Sequence, residues 1–175
     1  MQRLILLRHG KAESVAASGG DFERRLTERG RRDAALIGRV LADAGFAPDL
    51  ALVSSARRAR ETWAEVAPTF PYARCESARL LYLASAGYLA QAVLEAAEPV
   101  NSLIIVGHNP GLHDFALSLW DQSLWGQAAG GSNPLAAGFP TSAAAVFSLG
   151  AGGGARFERM FTPRDHGGGP LEPDL

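Results

Sequence analysis

Cysteine is nearly absent, with Cys75 the single one in 175 residues. No internal disulfide can form, which points to a reducing compartment, and a lone cysteine in an apolar setting reads as a small core residue. An excess of charge is missing too. Lysine plus arginine (17) nearly balances aspartate plus glutamate (18), a formal net charge of −1. Neither a nucleic-acid surface nor a membrane surface is therefore expected as a partner. Long apolar runs are also lacking. Leu4 to Leu7, ended by Arg8, is too short for the apolar segment of a secretory leader, and no membrane-length stretch occurs elsewhere. Cytoplasmic residence is the expectation. No Walker-type Gly-x-x-x-x-Gly-Lys loop is present for nucleotide triphosphates.

What is present suits a soluble α/β domain. Apolar residues make up 47% and charged residues 20%, enough to bury one sizeable core. The wholly apolar runs 4–7, 50–53 and 103–106 read as strands buried on both faces, as in a parallel sheet covered by helices. A weaker strand is expected near 71–75, and 143–149 with 156–161 reads as an antiparallel pair. Helices are expected between these strands. One follows the cap Thr27 and stops at Gly45, one carries Arg57, Arg58, Arg60, Thr62 and Trp63 behind Ser54 and Ser55, one follows Ser85, and one starts at Pro110. Alternation of strands and helices predicts a three-layer α/β/α sandwich, mostly parallel, with an antiparallel strand near the C-terminus. The domain is expected over 1–162, with a mobile Gly- and Pro-rich tail at 163–175 and a long surface loop at 121–140.

Ligands of such sheets bind beyond the carboxyl ends of the strands. Here the first buried strand runs into Arg8-His9-Gly10, the second into Ser54 and then Arg58, the third into Gly107-His108. Two guanidiniums and two imidazoles would converge at one sheet edge. A guanidinium is permanently charged and its planar fork fits phosphate oxygens. A neutral imidazole nitrogen can attack phosphorus and split one hard displacement into two easier ones. Gly10 allows close backbone approach. No metal and no other cofactor is called for.

Five blocks, in order, carry a family resemblance: Leu6-Leu-Arg-His-Gly-Lys-Ala-Glu13, Asp21-Phe-Glu-Arg-Arg-Leu-Thr-Glu-Arg-Gly30, Ser54-Ser-Ala-Arg-Arg-Ala-Arg-Glu-Thr62, Val106-Gly-His-Asn-Pro-Gly111 and Phe139-Pro-Thr-Ser-Ala143. Together they resemble the signature of the histidine phosphatase superfamily, also called phosphoglycerate-mutase-like, and within it the small SixA type, the bacterial phosphohistidine phosphatases. The resemblance implies His9 as nucleophile, with Arg8, Arg58 and His108 forming the phosphate pocket and Arg24 and Ser142 as secondary contacts. It implies a phosphorylated protein, on phosphohistidine, or a small phosphoester as the partner. A phosphate-binding module without turnover is the alternative from another class.

One departure from the family pattern stands out. Larger members carry a Glu between the second Arg and the second His that protonates the leaving group, and Ala78-Arg-Leu-Leu-Tyr-Leu-Ala-Ser85 holds no acid. Glu13, Asp21 and His108 are then the candidates for that proton. Absence of the Glu suits an easy leaving group such as an imidazole. Plainer roles are expected elsewhere: Arg57, Arg60 and Asp33 on solvated helix faces, His166 in solvent, Trp63, Trp120 and Trp125 as packing anchors, and His113 with Asp114 as no metal site.

Overall fold

The computed structural model describes residues 1–96, 100–122, 133–150 and 154–169. Among these residues, strands β1 (Arg3–Arg8), β2 (Leu50–Ser54), β3 (Arg74–Ala78), β4 (Ser102–Gly107), β5 (Ala144–Leu149) and β6 (Ala155–Phe161) form one sheet in the order β3-β2-β4-β1-β5-β6. The first four in that order are mutually parallel, β5 runs antiparallel to β1, and β6 antiparallel to β5. Helices α1 (Glu28–Asp43) and α2 (Arg57–Val66) cover one face, α3 (Ala86–Glu95) and α4 (Gly111–Asp121) the other. The fold is the expected α/β/α sandwich.

The two-residue period of the strands divides the core. Leu4, Leu6, Leu103 and Ile105 face Leu89, Leu112, Phe115 and Leu119 of α3 and α4. Ile5, Leu7, Ile104 and Val106 face Ile37, Leu41, Trp63 and Val66 of α1 and α2. This is why the central runs are apolar at every position rather than at alternate ones. Each fully buried Leu or Ile contributes about 2 kcal/mol, so the pattern fixes register as well as burial. Arg8 pairs with Gly107 across β1 and β4, and Val53 with Val106 across β2 and β4. The residues following these strands therefore emerge side by side at one edge.

Helix α1 begins where expected. The Thr27 hydroxyl accepts from the Gly30 N–H at 3.1 Å and donates to the Lys11 carbonyl at 3.1 Å, so the cap also ties the helix to the loop after β1. Gly30 is seated against that loop: a Cβ there would lie 2.1 Å from the Lys11 carbonyl oxygen. Helix propensity alone would make Gly30→Ala stabilising by about 1 kcal/mol. The obstructing atoms are backbone and cannot swing aside, so the expected outcome is the reverse, a net loss of about 2 kcal/mol. Urea unfolding of the variant checks the sign.

Several local expectations differ from what the fold adopts. Cys75 is exposed, because β3 is the edge strand and its residues 74–77 all face solvent. Asp33 is 5% exposed rather than on a solvated helix face, and its carboxylate accepts from the Gly169 N–H at 3.0 Å. That contact belongs to the segment expected to be a mobile tail. Pro163–His166 instead forms a single 3₁₀ turn against α1, with Pro163 buried and its carbonyl accepting from the Gly168 N–H. Residues 170–175 lie outside the described residues. Helix α2 has Ala56 at its N-cap with no side-chain cap, and the Ser54 hydroxyl accepts from the Ala56 N–H at 3.3 Å while meeting His108 at 2.7 Å. Of the loop expected at 121–140, residues 123–132, Trp125 among them, lie outside the described residues. Leu135 and Phe139 are buried and pin its far end to the core. Among the described residues, no helix is long and apolar enough to cross a membrane.

Candidate active site

At the carboxyl edge of β1, β2 and β4 lies an open cleft of about 1100 Å³, lined by Arg8, His9, Arg24, Arg58 and His108 together with Glu13, Asp21, Tyr82 and Thr141. Of the residues expected at the site, only Ser142 is absent from this lining.

His9 sits 8% exposed at the base. Its Nδ1 is 2.8 Å from the Gly10 carbonyl oxygen, which can only accept, so Nδ1 carries the proton and donates. The lone pair is thereby left on Nε2, where the Arg58 Nε–H donates to it at 3.2 Å. Burial, and then the positive charge of Arg58, Arg8 and Arg24, pulls the His9 pKa down to about 4, despite the opposing hydrogen bond to Gly10. A neutral ring with an available Nε2 is the form a nucleophile requires.

Gly10 is held from two sides. Its N–H donates to the Thr62 hydroxyl oxygen at 2.9 Å, and that hydroxyl donates to the Arg58 carbonyl at 2.6 Å. A Cβ on Gly10 would lie 2.6 Å from the Gly30 carbonyl oxygen. Thr62 thus joins the His9 loop to α2 in the turn that carries Arg58.

Arg58, 2% exposed, is fixed along its whole guanidinium. Besides Nε–H to His9, one terminal nitrogen donates to the Asp21 carbonyl at 2.7 Å and the other to the Asp21 carboxylate at 3.0 Å. Arg8 is held from behind by the Phe139 carbonyl at 2.7 Å, which also accepts from the Asn109 side chain at 3.1 Å. His108 packs 5.0 Å from His9, ring centre to ring centre, and its Nε2 meets the Ser54 hydroxyl at 2.7 Å. Burial is the largest cause holding its pKa down, to about 3, with His9 and Arg58 adding to it. The Arg8 Nε, His108 Nδ1 and Asn109 Oδ1 are buried without a protein partner. The Arg8 Nε–H, and His108 Nδ1 when protonated, are donors that fit a bound oxoanion beside a cationic cleft, whereas the Asn109 oxygen can only accept.

Asp21 accepts from Arg24 at 2.8 Å and 2.7 Å on one carboxylate oxygen, and from Arg58 and the Tyr82 hydroxyl (2.6 Å) on the other. The Tyr82 hydrogen bond is the largest cause holding the Asp21 pKa down, to about 2, ahead of the two guanidiniums. At neutral pH it is a carboxylate with no proton to give, so it does not fit the general acid. Glu13 pairs with Arg25 at 2.8 Å. Ser142 is fully buried in a left-handed conformation (φ 58°), and its N–H donates to the His9 carbonyl at 3.2 Å. It braces His9 from beneath, while neighbouring Thr141 faces the cleft. The His113 ring contacts the Leu135 carbonyl at 2.8 Å. The sequence reading missed Tyr82 and Thr62. Thr62 ends a quoted motif, whereas Tyr82 carries no local signal because a loop after β3 brings it in.

The neutral imidazoles make an acid-side prediction. An unfolded chain protonates both near pH 6.5, while the folded chain resists until about 4 for His9 and about 3 for His108. The unfolded state therefore binds more protons in that window. Stability is complete above pH 6.5 and is lost as pH falls, by about 3 kcal/mol at pH 4 for His9 alone. Asp21, whose folded pKa is also lowered, has the same sign, and its contribution is lost only below 3.8. Urea midpoints at pH 7.5, 5.5 and 4.5 should decline steadily, and less steeply in His9→Asn.

A sequence profile of the histidine phosphatase superfamily (branch 1) matches residues 4–80. An Agrobacterium tumefaciens protein assigned as a phosphohistidine phosphatase SixA is 30% identical, covers 93% of this chain and 99% of its own, and superposes with a TM-score of 0.77. The protein histidine phosphatase SixA, solved with tungstate, is 26% identical over 93% of this chain and 98% of its own, with a TM-score of 0.75. An uncharacterized Mycobacterium tuberculosis protein is 34% identical over 144 residues, 82% of this chain and 87% of that protein. The chain belongs to the histidine phosphatase superfamily. It is a phosphatase of the SixA type.

Proposed function

We propose that the protein hydrolyses phosphohistidine on a protein substrate through a covalent phosphate on His9. The observation that carries this reading is the tautomer: Nδ1–H held by the Gly10 carbonyl, with the Nε2 lone pair at the base of a cationic cleft. Nε2 attacks phosphorus, the bond to the leaving nitrogen breaks, and its electron pair departs with the leaving imidazole. Arg8, Arg58 and His108 hold the equatorial oxygens, Arg24 reaches the phosphate from the rim, and charge spread over those oxygens is where most of the catalysis lies. Water then displaces His9 from phosphorus, giving inorganic phosphate and the free imidazole. The openness of the cleft, with Val15 (74% exposed) and Leu83 (53%) on its lining, supports a phosphate carried on a protein surface. Likeness to the SixA structures supports the same substrate class. A cytoplasmic setting is part of this reading, supported by the single cysteine of the chain.

The test offers the enzyme a carrier protein phosphorylated on histidine and, separately, a panel of small phosphomonoesters. Faster dephosphorylation of the carrier is the expected result. Turnover of the small esters with an untouched carrier would sink the protein-substrate reading and make the protein a metabolite phosphatase.

A further inference from the structure

Asp21 is the one carboxylate that touches the phosphate-binding guanidiniums among the described hydrogen bonds and ion pairs, and for a site built to hold a dianion it is misplaced. It lines the same cleft as His9 and is ionised at neutral pH, with Arg24, Arg58, Tyr82 and His108 as its charged or titratable neighbours. Its main chain also anchors Arg58 through the carbonyl oxygen at 2.7 Å, so the position of that arginine does not rest on the carboxylate alone. One carboxylate oxygen is shared between Arg58 and the Tyr82 hydroxyl, the other is held by Arg24 alone and is freed when Arg24 turns to the phosphate, and the side chain is 47% exposed. A negative charge placed so repels an anionic substrate and rewards a leaving group that bears an N–H or a positive charge.

We propose that Asp21 is a specificity-determining residue that selects phosphoramidates, substrates with phosphorus bonded to nitrogen, by accepting a hydrogen bond from the N–H of the leaving group. This rests on the reading of His9 as nucleophile and deepens it. For a phosphorylated imidazole the balance is complete. The phosphorus–nitrogen bond breaks, its electron pair returns to that ring nitrogen, and the proton already on the other nitrogen lets the ring depart neutral. Asp21 stabilises the protonated ring without itself gaining or losing a proton, and no acid is required in the position where larger members of the family carry Glu.

The experiment compares kcat/KM for phosphoimidazole and for para-nitrophenyl phosphate in the wild type and Asp21→Asn, across pH 5 to 9 (roughly the range in which an imidazole proton is exchanged). The variant is expected to lose at least about tenfold more on phosphoimidazole than on the ester, so that the ratio of the two kcat/KM values falls. Its kcat profile on phosphoimidazole, which reports the bound ring, should fall off at lower pH than that of the wild type, since the ring proton is held less firmly. An equal loss on both substrates would reduce Asp21 to a support for Arg58 and overturn the proposal, as would no change in the ratio. Wild-type enzyme that forms the His9 adduct from the ester alone, with no phosphoramidate turnover, would overturn the substrate class instead and leave the nucleophile standing.

Discussion

His9→Ala is expected to lower kcat/KM by roughly four orders of magnitude or more, the scale seen when the nucleophile of a covalent mechanism is removed. The reason lies in the number of available lone pairs. His108 is the other imidazole at the edge, but a Ser54 hydroxyl that donates to its Nε2 at 2.7 Å leaves the proton on Nδ1, so neither ring nitrogen offers a lone pair. Among the described residues, His9 Nε2 is the ring nitrogen that accepts from Arg58, at 3.2 Å. The variant should still fold, since His9 is neutral and its removal unburies no charge. Intact-mass measurement after rapid quenching, without acid, should show a phosphate adduct on the wild type and none on His9→Ala. An adduct persisting in the variant would move the nucleophile elsewhere.

Arg58→Ala is expected to cost about 10²–10³ in kcat/KM, the effect of deleting a preorganised donor to a transition-state oxyanion. Arg58→Lys should recover little of it. In the resting site three nitrogens of one rigid plane reach His9, the Asp21 carbonyl and the Asp21 carboxylate simultaneously. An ammonium is a point charge on a flexible stem and cannot span those positions. The two variants can be told apart by phosphate inhibition. Loss of Arg58 should weaken binding of inorganic phosphate together with turnover, whereas loss of His9 should leave phosphate binding largely in place. A lysine variant with near wild-type kcat/KM would show that charge alone suffices.

How much of this was legible beforehand depends on where each signal resides. The three runs 4–7, 50–53 and 103–106 are apolar at every position because helices cover both faces, so a local pattern reported a global fact. Their carboxyl ends then delivered Arg8, His9, Arg58 and His108 to one edge, which required only that the strands be parallel neighbours. Tyr82 and Asp21 meet across a separation of 61 residues in sequence, and no periodicity announces that contact. Ser54 was read as a helix cap from its position; it accepts from the Ala56 N–H one residue short of the helix, and the residue after the neighbouring strand adds an imidazole that no local pattern announces. Cys75 and Asp33 each went the other way from composition. An edge position exposed the cysteine, and a returning C-terminal segment covered the aspartate.

The contact between Gly10 and Gly30 has a bearing on how this enzyme can vary over generations. Most tight contacts in a protein can be relieved by trimming one partner when the other grows. Here a Cβ on either residue meets main-chain atoms of the opposite loop, at 2.6 Å and 2.1 Å, and neither side has a side chain left to shorten. Compensation is closed off in both directions. The loop that carries the nucleophile and the start of α1 must therefore drift together as one rigid piece, and diversification of the substrate range falls to the rim of the cleft.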